Sequence, residues 1–303
     1  MRGFDYALPP KAKEAMNREF GFLSMMRALA THPGARGLDD DAAVLQIGGE
    51  TLVASHDTLV QGVHVRVDEN PADIAWKLIS VNLSDLAAKG AKPIGVLVSH
   101  MLGEGDDAFA RGLGEVLAEY DVPLIGGDTV RAEGRRVWGC TALGRATHTP
   151  VPDRRGAQPG DAVYVTGVLG RAMLGFENRG NDAQNDRAYR RPTPLLKEGR
   201  ALAPLVTAMM DVSDGLLLDC WRLAVASEVQ IAVDGDSVPV ADQDRRDDCM
   251  RWGDDYQLLF TAPTDCRIPV GATRIGEVRG EAAPGLVLDG IPLSVEDGLG
   301  YTH

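Results

Sequence analysis

A stretch rich in proline and glycine, residues 150–160, divides this chain of 303 residues into halves of similar length. Such composition is typical of a connection between domains. On each side, short apolar segments with the pattern of strands alternate with segments whose apolar residues recur at helical spacing. Because both halves mix strands and helices, we predict the α/β or α+β class. We expect an N-terminal domain over residues 17–149 and a C-terminal domain over residues 150–303.

The pattern predicts a leader of low order over residues 1–16 and a mobile polar segment over residues 178–191. The predicted helices lie at about residues 18–31, 70–89, 106–119, 195–208 and 215–227, with another opening at Gly170. The predicted strands lie at about residues 51–55, 94–101, 122–125, 136–144, 162–166, 229–234, 257–262, 273–278 and 286–288.

The charge balance excludes several classes of partner. Lysine and arginine total 31 against 44 acidic residues, a formal net charge of −13. Surfaces that bind nucleic acid or anionic lipid carry the opposite sign. The chain has neither the run of about 18 apolar residues that a membrane span needs nor a secretory signal. Its four cysteines are scattered, which favours a reducing compartment, and we expect a cytoplasmic protein.

Asp85 is the acid whose position in the sequence fits a solvent-exposed surface least well. At about 100° per residue, it falls between Leu78 and Val81 on the apolar face of the predicted helix 70–89. A buried carboxylate needs a proton, a metal ion or a basic partner. The alternatives are a helix end that has reached solvent, or an ion pair with Lys89 one turn on.

Other acids occur in groups near predicted strand ends or helix starts. Asp57 follows the strand 51–55, and Asp40 and Asp41 precede an apolar segment. Each fits a metal site, because hard cations prefer oxygen ligands, and each also fits an ordinary turn. The turn 126–129 (GGDT) and residues 211–215 (DVSDG) can hold phosphate or metal, or can serve as a hairpin and a helix cap.

Several familiar catalytic motifs are missing from the sequence. It contains no P-loop, no dinucleotide fingerprint after a strand, no G-x-S-x-G and no H-E-x-x-H. His56 and His64 are the histidines near the acids, and a lone histidine is more often structural. Phosphoryl transfer needs alignment and cations more than covalent chemistry from the protein. The acid groups therefore favour a magnesium-dependent phosphotransferase.

Six strings stand in a definite order along the chain. They are Asp40-Asp41-Ala42-Ala43, residues 57–64 (DTLVQGVH), residues 81–91 (VNLSDLAAKGA), residues 126–129 (GGDT), residues 211–216 (DVSDGL) and residues 253–256 (GDDY). Together they resemble the thiamine-monophosphate kinase family, in the superfamily of aminoimidazole ribonucleotide (AIR) synthetase. The resemblance extends from about Glu19 to Tyr301.

The resemblance implies a two-domain PurM-like α/β fold, with dimers paired through a barrel of strands from both N-terminal domains. It implies transfer of the γ-phosphate of ATP to the phosphate of thiamine monophosphate, giving thiamine diphosphate, with several Mg²⁺ ions in the cleft. The accepting oxygen is already anionic, so no residue is expected to act as a general acid or base. Asp57, Asp85 and Asp214 would act as metal ligands that neutralise charge.

The motif positions imply three sets of site residues. The implied metal set is Asp40, Ser55, His56, Asp57, Asp85, Asp128, Asp211 and Asp214; the ATP set is Gly127, Asp128, Arg154 and Ser213; the substrate set is His64, Asp254 and Gly298. Some positions depart from the family pattern. Asp39 stands for the usual glycine, His56 for a common threonine, Asp254 for the usual glutamate, and Gly298 for an aromatic residue of some members.

Two other interpretations stay open at this point. One is a different ATP-dependent enzyme of the superfamily. Selenophosphate synthetase would need a reactive cysteine near the N-terminus, whereas the first cysteine here is Cys140. The other is a protein that binds nucleotide and metal without turnover.

Overall fold

The computed structural model describes residues 10–280 and 283–302. The helices of the first half are α1 (Pro10–Leu29), α2 (Pro71–Ala88) and α3 (Asp106–Tyr120). Its strands are β1 (Ala43–Ile47), β2 (Glu50–Val60), β3 (Ala91–Met101), β4 (Leu124–Val130) and β5 (Val137–Ala146). The first nine residues of the predicted leader lie outside the described part of the chain. From Pro10 onward, α1 extends the predicted first helix toward the N-terminus.

The strands of the first half form one sheet in the order β1-β2-β5-β3-β4. All its neighbours pair antiparallel except β3 and β4, which are parallel. The long helix α2 packs against the inner face of this sheet and against α3. Its start is set by Asn70, whose side chain accepts a hydrogen bond of 3.0 Å from the Ala72 amide, and by Pro71 in the first turn.

The second half follows the predicted mixture of helices and strands. Its helices are α4 (Arg171–Glu177), α5 (Ala183–Arg190), α6 (Leu196–Leu202), α7 (Leu216–Ala226) and α8 (Arg246–Arg251). Its strands are β6 (Ala162–Thr166), β7 (Ala208–Asp211), β8 (Gln230–Val233), β9 (Leu258–Ala262), β10 (Ala272–Arg279), β11 (Gly285–Leu288) and β12 (Ile291–Leu293). Within the described residues they form one sheet in the order β12-β11-β8-β10-β6-β9-β7. The predicted α/β class is confirmed.

The two halves share one of the two hydrophobic cores. Leu83 of α2, Met209 of β7 and Phe260 of β9 belong to the same buried cluster. Gly90 ends α2 with a φ of 58°, and a Cβ there would lie 2.4 Å from the Ala203 Cβ. Only glycine satisfies both conditions at this close approach. As a result, α2 lies between the first sheet and the second half, and its side chains can reach both.

Some predicted elements differ from the observed ones because tertiary contacts decide them. The predicted turn 126–129 lies inside β4, which pairs with β3 in the register Val98 to Gly127. The segment 178–191, expected to be mobile, contains α5, whose Tyr189 is buried and packs edge-on against Phe176. Polar composition concealed this anchoring aromatic contact.

Element lengths were also mispredicted. The helix expected over residues 195–208 ends at Leu202, and β7 begins at Ala208. Strand β2 continues past residue 55 to Val60, so Asp57 lies within the strand rather than after it. We did not predict β1, β7, β12 or α8. None of the described helices is long and apolar enough to cross a membrane.

Candidate active site

A cleft of about 860 Å³ lies where the two halves meet. Its lining comes from the loop before β1, from β2, from α2 and from loops of the second half. The lining residues are Asp40, Asp41, His56, Asp57, Thr58, Leu59, Val60, Val63, His64, Val81, Asp85, Arg154, Phe176, Asp211, Ser213, Asp214, Arg222, Trp252, Asp254, Tyr256 and Tyr301. Ten of the predicted site residues are among them, so residues distant in sequence converge on one cavity.

Three carboxylates meet at the centre of this cleft. Asp41, Asp85 and Asp211 each place one oxygen within 4.8 Å of the others. They come from the loop before β1, from the last turn of α2 and from the end of β7. We call these three residues the acid cluster. The cluster is buried, because Asp85 is 9% exposed and Asp211 is 2% exposed.

The string Asn82-Leu83-Ser84-Asp85 on α2 organises the cluster. The Asn82 side chain accepts a hydrogen bond of 2.9 Å from the Asp57 amide, which fixes β2 beside the helix. The Ser84 hydroxyl donates to Asp211 Oδ2 at 2.5 Å, which reaches the second half. Asp85 accepts a hydrogen bond from the Ser55 hydroxyl of β2. Asn82 and Asp85 therefore join α2 to β2, and Ser84 joins α2 to β7 of the second half.

The acids of the cluster differ in electrostatic setting. Burial, together with the charges of Asp57 and Asp211, raises the pKa of Asp85 well above its usual value. Burial and the charge of Asp41 raise the pKa of Asp211 in the same way. Burial also acts to raise the pKa of Asp41, but Arg154 and Lys89 outweigh it and lower that pKa. Asp85 and Asp211 have no basic partner among their hydrogen bonds in the described chain, only serine hydroxyls.

The donor set of the cluster fits a hard divalent cation. All three ligand atoms are carboxylate oxygens, the type that Mg²⁺ prefers. The Asp41 Oδ2 atom is buried and accepts no hydrogen bond of acceptable geometry among the described residues, although Lys89 Nζ lies 2.8 Å away. Two buried carboxyls of raised pKa beside a third carboxylate are the arrangement that a cation would complete.

The loop before β1 supplies Asp41 to the cluster, and the predicted ligand Asp40 lies next to it in the cleft lining. Both Asp40 oxygens are engaged, since Arg36 donates to Oδ2 and Lys89 donates to Oδ1. Arg36 lies in a left-handed turn with a φ of 50°, which brings its guanidinium back onto Asp40. Metal ligation by Asp40 stays a prediction.

Gly127 and Asp128 lie away from the acid cluster. Both are exposed on β4, at the edge of the first sheet, and neither lines the cleft. A Cβ at residue 127 would meet the Val98 carbonyl oxygen at 2.0 Å, so the glycine serves strand pairing here. The Asp128 side chain accepts a hydrogen bond of 2.9 Å from the Thr129 amide. Their nucleotide and metal roles stay predictions.

His56 and Ser55 alternate along β2 and face opposite ways. Ser55 is buried against Asp85, whereas the exposed His56 has Nδ1 at 2.8 Å from the Thr141 hydroxyl. Ser55 contacts the cluster through Asp85, and His56 lines the cleft. Direct ligation through either side chain stays a prediction.

One wall of the cleft carries two arginines. Arg154 donates to Asp41 Oδ1, with Nε at 3.0 Å. Arg222 of α7 donates to Asp214 and to the fully buried Asp219, with 3.1 Å to Asp219 Oδ1. Sequence reasoning missed Arg222 and Asp219. The signal was their spacing of three residues on one helix face directly after the Asp211–Gly215 string.

Asp219 fixes the loop that carries Ser213 and Asp214. Its Oδ2 accepts hydrogen bonds from the amides of Ser213 at 3.1 Å and Asp214 at 3.2 Å. The backbone of the predicted site residues Ser213 and Asp214 is therefore fixed by the buried Asp219 carboxyl, which does not line the cleft.

At the other end, the cleft is aromatic and less acidic. His64, Phe176, Trp252, Tyr256 and Tyr301 line it, and the ring centroids of Phe176 and Trp252 lie 5.3 Å apart. Gly298, a predicted substrate residue, does not line the cleft. Its carbonyl instead accepts a hydrogen bond of 2.8 Å from Arg251.

A buried ion pair forms the floor of this aromatic end. Lys77 of α2, with a side chain 2% exposed, donates to Asp254 Oδ2. The Tyr256 hydroxyl donates to Asp254 Oδ1 at 2.9 Å. We did not predict Lys77, although a basic residue within the apolar sequence of α2 was a usable signal.

The buried Asp219 predicts a pH dependence of stability. Burial, only partly offset by Arg222, raises the pKa of Asp219 to about 7. Because the folded state then binds this proton more tightly than the unfolded state, the stability contribution is complete below about pH 4 and is lost as pH rises through 7. Between pH 6 and pH 8.5 in EDTA, the free energy of unfolding should fall by about 1–2 kcal/mol more in the wild type than in Asp219→Asn. Urea unfolding measures this, and parallel pH profiles for the two proteins would contradict it.

The chain matches two family descriptions in succession. Residues 39–146 match "AIR synthase related protein, N-terminal domain", and residues 158–265 match "AIR synthase related protein, C-terminal domain". These two segments contain the acid cluster, Arg222 and Asp254, and Arg154 lies between them.

Individual proteins resemble the chain over most of its length. It is 37% identical to a thiamine-monophosphate kinase of Salmonella typhimurium, covering 88% of this chain and 91% of that protein. It is 36% identical to the thiamine-monophosphate kinase of Escherichia coli K12, with the same coverage of each. Among solved structures it resembles "AaThiL complexed with AMPPCP and TMP", with a TM-score of 0.83 and 27% identity over 91% of this chain and 94% of that one.

Proposed function

The chain belongs to the thiamine-monophosphate kinases of the AIR synthase related family, and from that premise we propose that it transfers the γ-phosphate of ATP to thiamine monophosphate. The observation that carries the proposal is the single cleft with an acid cluster and two arginines at one end and aromatic side chains at the other. A similar solved structure is described with both AMPPCP and TMP.

The acidic end of the cleft suits a metal-bound polyphosphate. Bound Mg²⁺ would supply the positive charge that allows ATP to enter a cleft of acidic residues. The residues suited to hold it are Asp41, Asp57, Asp85, Asp211 and Asp214. Arg222 lines the same wall and can donate to phosphate oxygens.

Phosphoryl transfer to a phosphate oxygen requires the protein mainly to align the two substrates. The accepting atom is a phosphate oxygen that already carries negative charge, so no side chain has to remove a proton from it. This agrees with a site whose central groups are carboxylates and guanidinium groups. We therefore assign catalysis to in-line positioning and charge neutralisation.

The aromatic end suits the organic part of the acceptor. Thiamine monophosphate carries a cationic thiazolium ring, and aromatic faces attract such cations. Trp252 is 37% exposed at the cleft surface beside Phe176, with Tyr301 and His64 also in the lining. These side chains supply the aromatic contact that residue 298, a glycine here, cannot make.

A homodimer is part of the proposal. Several large apolar side chains of the first sheet are exposed, among them Ile47 on β1 and Leu124, Ile125 and Val130 on β4. Pairing of two such sheets would cover them. Gly127 and Asp128 lie on the same edge strand, so we propose a role for them only in the paired state. The domain division at residue 150 likewise stays a prediction.

The test is formation of thiamine diphosphate from thiamine monophosphate, ATP and Mg²⁺. Free thiamine, a sample without acceptor and a sample with EDTA are the controls. We expect product from the monophosphate alone and none in EDTA. ADP release with another acceptor would indicate a different enzyme of the superfamily, and Mg²⁺-dependent ATP binding without product from any acceptor would indicate a non-catalytic protein.

A further inference from the structure

Lys89 is a fully buried cation at the edge of the acid cluster. It follows α2 directly, and its side chain is 0% exposed. Its Nζ donates to Asp40 Oδ1 and, at 3.0 Å, to the Met209 carbonyl of β7. The same atom lies 2.8 Å from Asp41 Oδ2. The sequence allowed an ion pair of Lys89 with Asp85, but the contacts of Lys89 are with Asp40 and Asp41 instead.

An ammonium group in this position needs compensation. Burial disfavours its charged form, but Asp40 and Asp41 outweigh burial, so the pKa of Lys89 is raised. Its place at the C-terminus of α2 also favours positive charge, because the helix dipole is negative there. The two carboxylates in contact with Lys89 thus favour a charged ammonium group at this place in the site.

The charges around the cleft are unevenly balanced. Asp40 and Asp41 contact three basic side chains, those of Arg36, Lys89 and Arg154. On the other side, Asp85 and Asp211 receive hydrogen bonds from Ser55 and Ser84, which carry no charge. The protein thus neutralises one side of the site by itself and leaves the other side for mobile cations.

From this imbalance we infer that Lys89 is a built-in cation of the metal site, which takes the place of one further divalent ion beside Asp40 Oδ1 and Asp41 Oδ2. Its charge would limit the number of divalent ions that the free protein binds. The inference rests on the proposed function only in its use of Mg²⁺ as the mobile cation. A purely structural role, joining the first half to β7 through Met209, is the alternative.

The experiment compares the wild type with Lys89→Met in the absence of ATP and thiamine monophosphate. We expect the melting temperature of the variant in EDTA to fall by more than about 5 °C, because two buried carboxylates lose their shared partner. Added Mg²⁺ should raise the melting temperature of the variant by more than it raises that of the wild type. Equilibrium dialysis with Mn²⁺ should find one more ion bound per chain in the variant.

Lys77→Met is the matched control. It removes a second buried lysine of the same helix, paired with Asp254 at the aromatic end. We expect Lys77→Met to melt at a lower temperature than the wild type. The number of Mn²⁺ ions bound per chain and the rise in melting temperature with Mg²⁺ should equal those of the wild type. Lys89→Arg, which keeps the charge, should also bind the wild-type number of ions.

An equal response of wild type and Lys89→Met to Mg²⁺, with an unchanged Mn²⁺ number, would overturn the inference. If Lys89→Met does not fold even with Mg²⁺, the double variant Lys89→Met, Asp40→Asn distinguishes a built-in cation from a purely structural lysine. Our inference requires this double variant to fold in EDTA, whereas a structural tie to Met209 predicts that it does not. Because no substrate is present, these outcomes are independent of whether the kinase assay succeeds.

Discussion

Asp85→Asn is expected to lower kcat for thiamine diphosphate formation by about a hundredfold to a thousandfold, while the protein remains folded. The substitution keeps the volume and one oxygen that can accept the Ser55 hydrogen bond. What it removes is the charge at the centre of the acid cluster. Because that charge is proposed to hold Mg²⁺ opposite the transferring phosphate, its loss should affect turnover more than stability.

The stability of this variant is the more discriminating measurement. Burial and the neighbouring acids raise the pKa of Asp85, so its charge is unfavourable in the protein without metal. Removing a repulsive buried charge should leave the melting temperature in EDTA unchanged or raise it. The stabilisation by added Mg²⁺ should be smaller than in the wild type, since a metal ligand is gone.

Asp107→Asn serves as the control, because Asp107 is an exposed acid of α3 that does not line the cleft. It changes the net charge equally and should behave as the wild type in both measurements. Undiminished turnover of Asp85→Asn at ordinary Mg²⁺ would falsify the metal role. A collapse of its melting temperature in EDTA would instead show that Asp85 is a structural residue.

The burial of Asp85 was predicted correctly because the residues of a helix have a regular angular spacing. A carboxylate between Leu78 and Val81 on an apolar face must be buried wherever that helix packs. Its partners could not be predicted in the same way. Ser55 reaches Asp85 from β2, and Ser84 of α2 reaches Asp211 at the end of β7. Both contacts depend on how distant elements pack.

Loop residues were harder to assign than helix residues. The ion pair of Arg36 with Asp40 accompanies a left-handed turn at Arg36, which no periodicity reveals. Similarly, two glycines in sequence suggested a turn, and only pairing with β3 made residues 126–129 a strand. The strands and helices with clear apolar periodicity were predicted correctly, whereas residues placed by single tertiary contacts were not.

Asp254→Asn is the second change with a large expected effect, and it tests the floor of the aromatic end. Lys77, with a side chain 2% exposed, would be left without its counter-charge. Removing one partner of such a buried pair costs about 3–5 kcal/mol. For a chain of this size the melting temperature should fall by roughly 5–10 °C. Asparagine tolerates the left-handed φ of 62° at this position, so the loss reports charge rather than backbone strain.

The effect on catalysis should be selective for the acceptor. Asp254 lines the aromatic end, where we place thiamine monophosphate, so its KM should rise while the KM for ATP changes little. The double variant Asp254→Asn, Lys77→Met removes both charges and should recover most of the lost stability, since no unpaired ion remains. Additive losses in the double variant would contradict a coupled pair. Equal rises in both KM values would place Asp254 outside the acceptor site, because a residue that contacts only one substrate cannot weaken both alike.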